Sequence, residues 1–159
     1  MKKLLSILLM VVLATAVLTG CSDPVYDDLS NFLNVQMVEV NADYENIKAE
    51  ITVWETLEDD AALAKSLNEV LIPIVDSSLA KLEAINPETE EVKEIKAKYV
   101  KVMDAYKEGF MTLAEGCVTQ DDATINAGTE KIGEAVELLD EYNLALEALA
   151  TEVGAEIEY

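Results

Sequence analysis

The chain has 159 residues, with 32 acidic side chains against 11 basic ones and a formal net charge of −21. All the basic residues are lysine; there is no histidine and no arginine. These absences exclude Ser-His-Asp and Cys-His catalysis, the Glu-x-x-His pairs of a ferritin-like di-iron centre, ordinary Cys/His zinc sites and bidentate arginine clamps on phosphate. The acidic balance excludes nucleic acid, whose binding depends on neutralising phosphates, and sets the chain against anionic lipid head groups as well. Charge points instead to cationic partners: metal ions, basic peptides or a basic protein face. No cofactor is expected.

The first segment reads as an address. Lys2 and Lys3 precede an apolar run from Leu4 to Leu18, broken only by Ser6 and Thr15. That is the charged and then apolar pattern of a secretory signal. The run is shorter than the ~20 apolar residues of a spanning helix and is not followed by a positive stop. It ends in Leu18-Thr19-Gly20-Cys21, which resembles the lipobox of bacterial lipoproteins. The resemblance covers residues 1–21 alone. It implies transfer of diacylglycerol to the Cys21 sulfur, cleavage before Cys21 and often further acylation with a fatty acid such as palmitate. Two or more acyl chains anchor a protein stably, at about 0.8 kcal/mol per buried CH₂. The expected location is the outer face of the bacterial cell membrane, or an outer membrane if the host has one. The alternative is an ordinary signal peptide cleaved nearby, leaving Cys21 as a thiol.

Residues 1–20 are then a cleaved signal and 21–159 a single domain. Removing the two signal lysines leaves 9 lysines against 32 acids, a net charge of −23 on 139 residues. Cys117 remains alone, with no partner for a disulfide framework and no histidine or arginine to activate it. It reads as a small buried apolar residue.

The mature chain reads as four helices. Asp23-Pro24 is a cap followed by proline at the first helical position. Large apolar residues then fall at Tyr26, Leu29, Leu33, Met37, Val40, Tyr44, Ile47, Ile51 and Trp54, a mean step of 3.5 residues. This is a bundle or coiled-coil seam, and it predicts one helix over 24–57. So regular a seam could also serve a dimer.

Leu57-Glu58-Asp59-Asp60 breaks the pattern. The second helix carries Leu63, Leu67, Val70, Leu71, Ile74, Val75, Leu79, Leu82 and Ile85, and Pro73 inside it should kink it. Asn86-Pro87-Glu88 restarts the chain, again as cap then proline. The third helix carries Val92, Ile95, Tyr99, Val102, Met103, Tyr106, Phe110, Leu113 and Cys117, with Gly116 opening the next turn. Thr119 and Asp122 resemble a capping box before a fourth helix through Ile125, Ile132, Val136, Leu139, Tyr142, Leu146, Leu149 and Val153, ending at Gly154. Acids at each start, Asp27 and Asp28, Asp59 and Asp60, Glu88 and Glu90, Asp121 and Asp122, suit the positive end of each helix dipole. Short connections make neighbours antiparallel. The expected fold is an all-α, antiparallel up-down-up-down four-helix bundle with long helices.

That topology places candidate sites. If the bundle stands upright on Cys21, the connections near 57–60 and 116–122 meet at the far tip. They gather Glu58, Asp59, Asp60, Asp121 and Asp122, a carboxylate set suited to a hard cation such as Ca²⁺ or to a cationic peptide. No EF-hand spacing is present, and each acid is also a natural cap. Lys93, Lys96, Lys98, Lys101 and Lys107 all fall on the third helix, either as a docking face or as partners of Glu130, Glu134 and Glu137. A seam in mid-bundle, with Pro73, Gly109, Gly128, Gly133, Tyr44, Trp54, Met103 and Tyr106, would admit a small apolar ligand or be plain core. The function expected is a non-enzymatic surface lipoprotein that engages an envelope protein or wall polymer; the alternative is a binder of divalent cations or cationic peptides, and an envelope hydrolase comes third.

Overall fold

A computed structural model describes residues 23–157. The signal, the lipobox and Cys21 lie outside the described residues. The chain is all-helical, and the described residues contain no strand.

The first rod begins where the sequence places it. Asp23 caps α1 (Pro24–Asn31), its side chain accepting from Val25 N at 2.9 Å. The rod is not one continuous helix. A π-helical stretch (Phe32–Gln36) follows α1, closed by Met37 N donating to Phe32 O at 2.9 Å, and α2 (Val38–Val53) then runs into a 3₁₀ turn (Trp54–Thr56). The extra residue falls where two four-residue steps follow each other, Leu29 to Leu33 to Met37. Without a wide turn the seam would drift round the helix there; the π stretch returns it to the core. All nine seam residues, Tyr26 through Trp54, are buried within the chain. The seam therefore leaves nothing for a dimer.

The second rod is divided in the same way into α3 (Asp60–Ser66), a π stretch (Leu67–Leu71) and α4 (Ile72–Ala84). Pro73 does not kink a continuous α-helix. It sits in the first turn of α4 directly after the π stretch, where its missing N–H costs least and the wide turn removes the clash with the carbonyl four residues back.

The third rod, α5 (Glu90–Thr119), starts later than the Asn86-Pro87-Glu88 reading. Its cap residue is Thr89, and Pro87 is buried outside the helix. It also ends later. Gly116 is buried inside the helix, and the chain turns at Gln120, which takes the left-handed conformation at φ 55°. The fourth rod, α6 (Asp122–Val153), is capped by Asp121; Thr119 instead donates back to Glu115 O within α5. Gly154, at φ 74°, ends α6 as the sequence indicates.

Packing is tightest between α5 and α6, and three glycines explain it. A Cβ on Gly116 would lie 2.6 Å from Ile125 N, and one on Gly109 would lie 2.7 Å from the Ile132 side chain. A Cβ on Gly128 would overlap the Leu113 backbone. Partners descend α6 as one ascends α5, from Tyr99 against Tyr142 to Gly116 against Ile125. Rods one and two are joined by polar links through the buried Ser78 and Ser66. Ser78 Oγ donates to Asp43 Oδ2 at 3.0 Å, and Lys81 Nζ meets the same oxygen at 2.7 Å. Trp54 Nε1 donates to Ser66 Oγ at 2.9 Å, and Ser66 Oγ to Glu50 Oε1 at 2.7 Å.

Candidate functional site

The five tip acids are placed by helix starts. Asp59 accepts from Ala62 N at 2.8 Å as the cap of α3, and Asp121 accepts from Ala123 N at 3.2 Å and from Thr124 Oγ1 at 2.6 Å as the cap of α6. The Thr124 hydroxyl, with the backbone N–H groups of Ala123 and Thr124, holds the Asp121 carboxyl below its usual pKa. Asp60 lies near enough to Cys117 for its charge to raise the thiol, so the start of α3 and the end of α5 share one end of the molecule. Two of the five acids are thus occupied with backbone N–H groups. Among the described residues no three carboxylate or thiol side chains are arranged to hold a metal ion.

The α5 lysines do not form one face. Lys107 Nζ reaches across to Asp76 Oδ1 on α4 at 2.6 Å, Lys93 pairs with Glu90 of its own first turn at 2.6 Å, and Lys96 Nζ donates to Ile85 O at 2.5 Å. Lys98 and Lys101 have no ion-pair partner among the described residues. None of the five pairs with Glu130, Glu134 or Glu137; the link to α6 is made the other way, by Lys131 to Glu108 at 3.1 Å. The reason is geometric. Close approach at the glycines turns the α5–α6 contact face over to small and apolar residues and leaves lysines to the flank facing α4 or to solvent.

The mid-bundle residues are core. Tyr44, Trp54, Met103 and Tyr106 are all buried. The rings of Tyr99 and Tyr142 lie 5.0 Å apart, and Trp54 meets Phe110 edge-on at 6.1 Å. Burial pushes the Tyr99, Tyr106 and Tyr142 hydroxyls well above their ordinary pKa, with neighbouring tyrosines adding to the shift at Tyr99. They are neutral phenols at any physiological pH. Cys117 is buried, and burial first, then the Asp60 charge, raises its thiol pKa. That keeps it protonated and poorly nucleophilic.

Sequence reasoning missed Asp28. It reads as one of the acids at the start of the first helix, yet it is buried and its Oδ2 accepts from Glu88 N at 2.9 Å, Thr89 N at 2.7 Å and Thr89 Oγ1 at 2.7 Å. It holds the two residues just before α5, including the cap residue Thr89, from a different rod. Burial raises its carboxyl pKa, but the Thr89 and Glu88 hydrogen bonds and the Lys93 charge outweigh that and hold it below the usual value. The only sequence signal was its position beside the seam residue Leu29. The contact pins the 85–89 connection against the beginning of α1.

A family model described as "EMYY-motif containing lipoprotein" matches residues 1–150. Read as one-letter code, the tetrapeptide of that description, Glu-Met-Tyr-Tyr, does not occur in this sequence. No curated protein and no solved structure matches the chain.

Proposed function

Because the chain belongs to the EMYY-motif lipoprotein family, we propose that its mature form is held by lipid on Cys21 at the outer face of the cell membrane and works there as a non-enzymatic interaction module of the envelope. The observation that carries the reading is the family match, which spans the lipobox-like Leu18-Thr19-Gly20-Cys21 and most of the helical domain. Two residues separate Cys21 from α1, a reach of ~7 Å, so the domain stands on the anchor almost without tether.

The four rods are read as an up-down-up-down antiparallel bundle. The reading is supported by Asp28 joining the starts of the first and third rods, and by Asp60 and Cys117 lying close at the other end. The face offered to an envelope protein or wall polymer is then the acidic flank and distal end.

Growth with an alkyne fatty acid tests the anchor. Label should appear on the wild-type chain and vanish in Cys21→Ala; label retained in that variant would sink the assignment. Protease treatment of intact cells should remove the helical domain if it faces outward. Cross-linking on cells, with capture of the lipoprotein, should return one recurrent partner; none above background would turn the reading toward small ligands.

The alternative, cation or cationic-peptide binding through Glu58, Asp59, Asp60, Asp121 and Asp122, has less support, since Asp59 and Asp121 serve as caps. A calcium titration at fixed ionic strength, with all four aspartates changed to alanine as the comparison, decides it.

A further inference from the structure

We propose that a groove between the 85–88 connection and the first turns of α5 receives the phosphate head group of an anionic phospholipid in the membrane that carries the anchor. The inference rests on the proposed anchoring at Cys21. The groove holds about 500 Å³. Its walls combine the apolar side chains of Ile85, Pro87 and Val100 with the ammonium groups of Lys93, Lys96 and Lys101, and no carboxylate lines it. Three of the nine mature lysines therefore surround one concavity in a chain of net charge −23.

Its position decides what it meets. Glu88 N and Thr89 N are bonded to Asp28, five residues along the chain from the α1 cap Asp23. Cys21 stands two residues before that cap, so the groove is at the anchored end, close to the head-group layer. The whole-chain charge opposes anionic lipid, but charges beyond about 8–10 Å are largely screened at physiological salt. A head group inside the groove meets three ammonium groups, of which Lys101 is unpaired among the described residues, Lys96 is bonded to the Ile85 carbonyl and Lys93 is paired with Glu90. The Lys93–Glu90 pair is exposed on both sides, so a phosphate oxygen can displace it at little cost. The apolar wall favours a lipid over a free anionic polymer. Glycerol and the first acyl carbons can lie on exposed Ala97 and half-buried Val100, whereas a polymer phosphate would use the lysines alone.

The test uses the full lipidated chain in vesicles of phosphatidylcholine, with or without phosphatidylglycerol. Each lysine's rate of acetylation by a water-soluble reagent is read by mass spectrometry, and flotation with the vesicles is measured separately. Lys93, Lys96 and Lys101 should each react about five-fold more slowly when phosphatidylglycerol is present, the factor for one juxtamembrane lysine near an anionic surface. Lys48 and Lys65 should not change. In the doubly substituted chain Lys93→Gln, Lys101→Gln, the effect on Lys96 should shrink below two-fold. Equal rates in both vesicles would overturn the proposal, as would slowing shared by Lys48 and Lys65. Protection in phosphatidylcholine vesicles by a soluble glycerol-phosphate polymer would move the occupant from lipid to wall polymer and overturn it too. Failure to float with phosphatidylcholine would remove the anchor and the proposal with it, whereas flotation without protection would remove the groove alone.

Discussion

Asp28 and Thr89 are 61 residues apart in sequence, yet a single carboxylate oxygen of Asp28 accepts both the backbone N–H and the hydroxyl of Thr89 at 2.7 Å. The bonds fix the entry to α5 from the first rod, through the N–H groups of the two residues that precede the helix. They close the end of the molecule at which α1 begins and hold one wall of the lysine groove in place.

Asp28→Ala should therefore lower stability by about 2–3 kcal/mol, the cost of leaving N–H groups bonded to a charged acceptor without one. Asp28→Asn should cost less and change the pH dependence. The folded-state pKa is below the unfolded value of about 3.9. Its stabilisation is thus fully present above pH ~4 and is lost as pH falls through the folded pKa. Urea midpoints measured between pH 6 and pH 3 should fall less steeply for Asp28→Asn than for the wild type; parallel curves would deny Asp28 a role in acid stability.

The glycines separate by what surrounds them. Gly128→Ala and Gly116→Ala should each destabilise by about 1–3 kcal/mol, because the new methyl meets backbone of the facing helix, which yields less easily than a side chain. Gly133, on the same helix as Gly128, has nothing within 4 Å of an added Cβ. Gly133→Ala should be stabilising by about 1 kcal/mol through helix propensity. Thermal melts of the three variants check the difference in sign.

Gln120 takes a left-handed conformation at the end of α5 without being glycine. Gln120→Gly should raise stability by about 1 kcal/mol, since the conformation strains any residue with a Cβ. A lowered denaturation midpoint would mean that the Gln120 side chain contributes more than its backbone costs.

Ser66→Ala removes the acceptor of the Trp54 indole N–H and the donor to Glu50. A loss of about 1–3 kcal/mol is expected for leaving a buried donor unpaired. Trp54 is the single tryptophan, so its emission reports directly, and a red shift in the folded variant would show water reaching the indole.

Cys117 should stay unmodified by a thiol reagent at neutral pH in the folded protein and react fully once urea unfolds it, because burial both covers the sulfur and keeps it protonated. Rapid labelling of the native chain would contradict the packing of α5 against the start of α3.

The helical class, the rod limits to within a few residues, and the nine-residue seam of the first rod were all readable from apolar spacing, since one buried face per helix leaves its period in the residues themselves. So was the cap at Asp23, and the one at Asp59 to within a residue, since each needs only neighbouring N–H groups; the start of the fourth helix was read at Thr119, and Asp121 caps it instead. The π stretches were half legible. Consecutive four-residue steps mark Leu29–Leu33–Met37 and Leu67–Leu71–Val75, but Val102–Tyr106–Phe110 in α5 has the same steps and remains α-helical. Whether a helix absorbs the drift by widening a turn depends on what it packs against, and that information lies in other segments.

By itself the sequence determined the export-signal pattern and the lipobox-like cysteine, the absence of histidine and arginine chemistry, the acidic charge, and the buried face of each rod, because each is a property of residue type or of spacing along one segment. Tertiary structure alone decided that Asp28 ties the 88–89 backbone to the first rod, that Gly109, Gly116 and Gly128 admit a facing helix, and that three lysines share a groove with apolar neighbours. Each of these joins residues on different helices or connections, from nine to 61 positions apart, and local spacing carries no record of which backbone will arrive beside them.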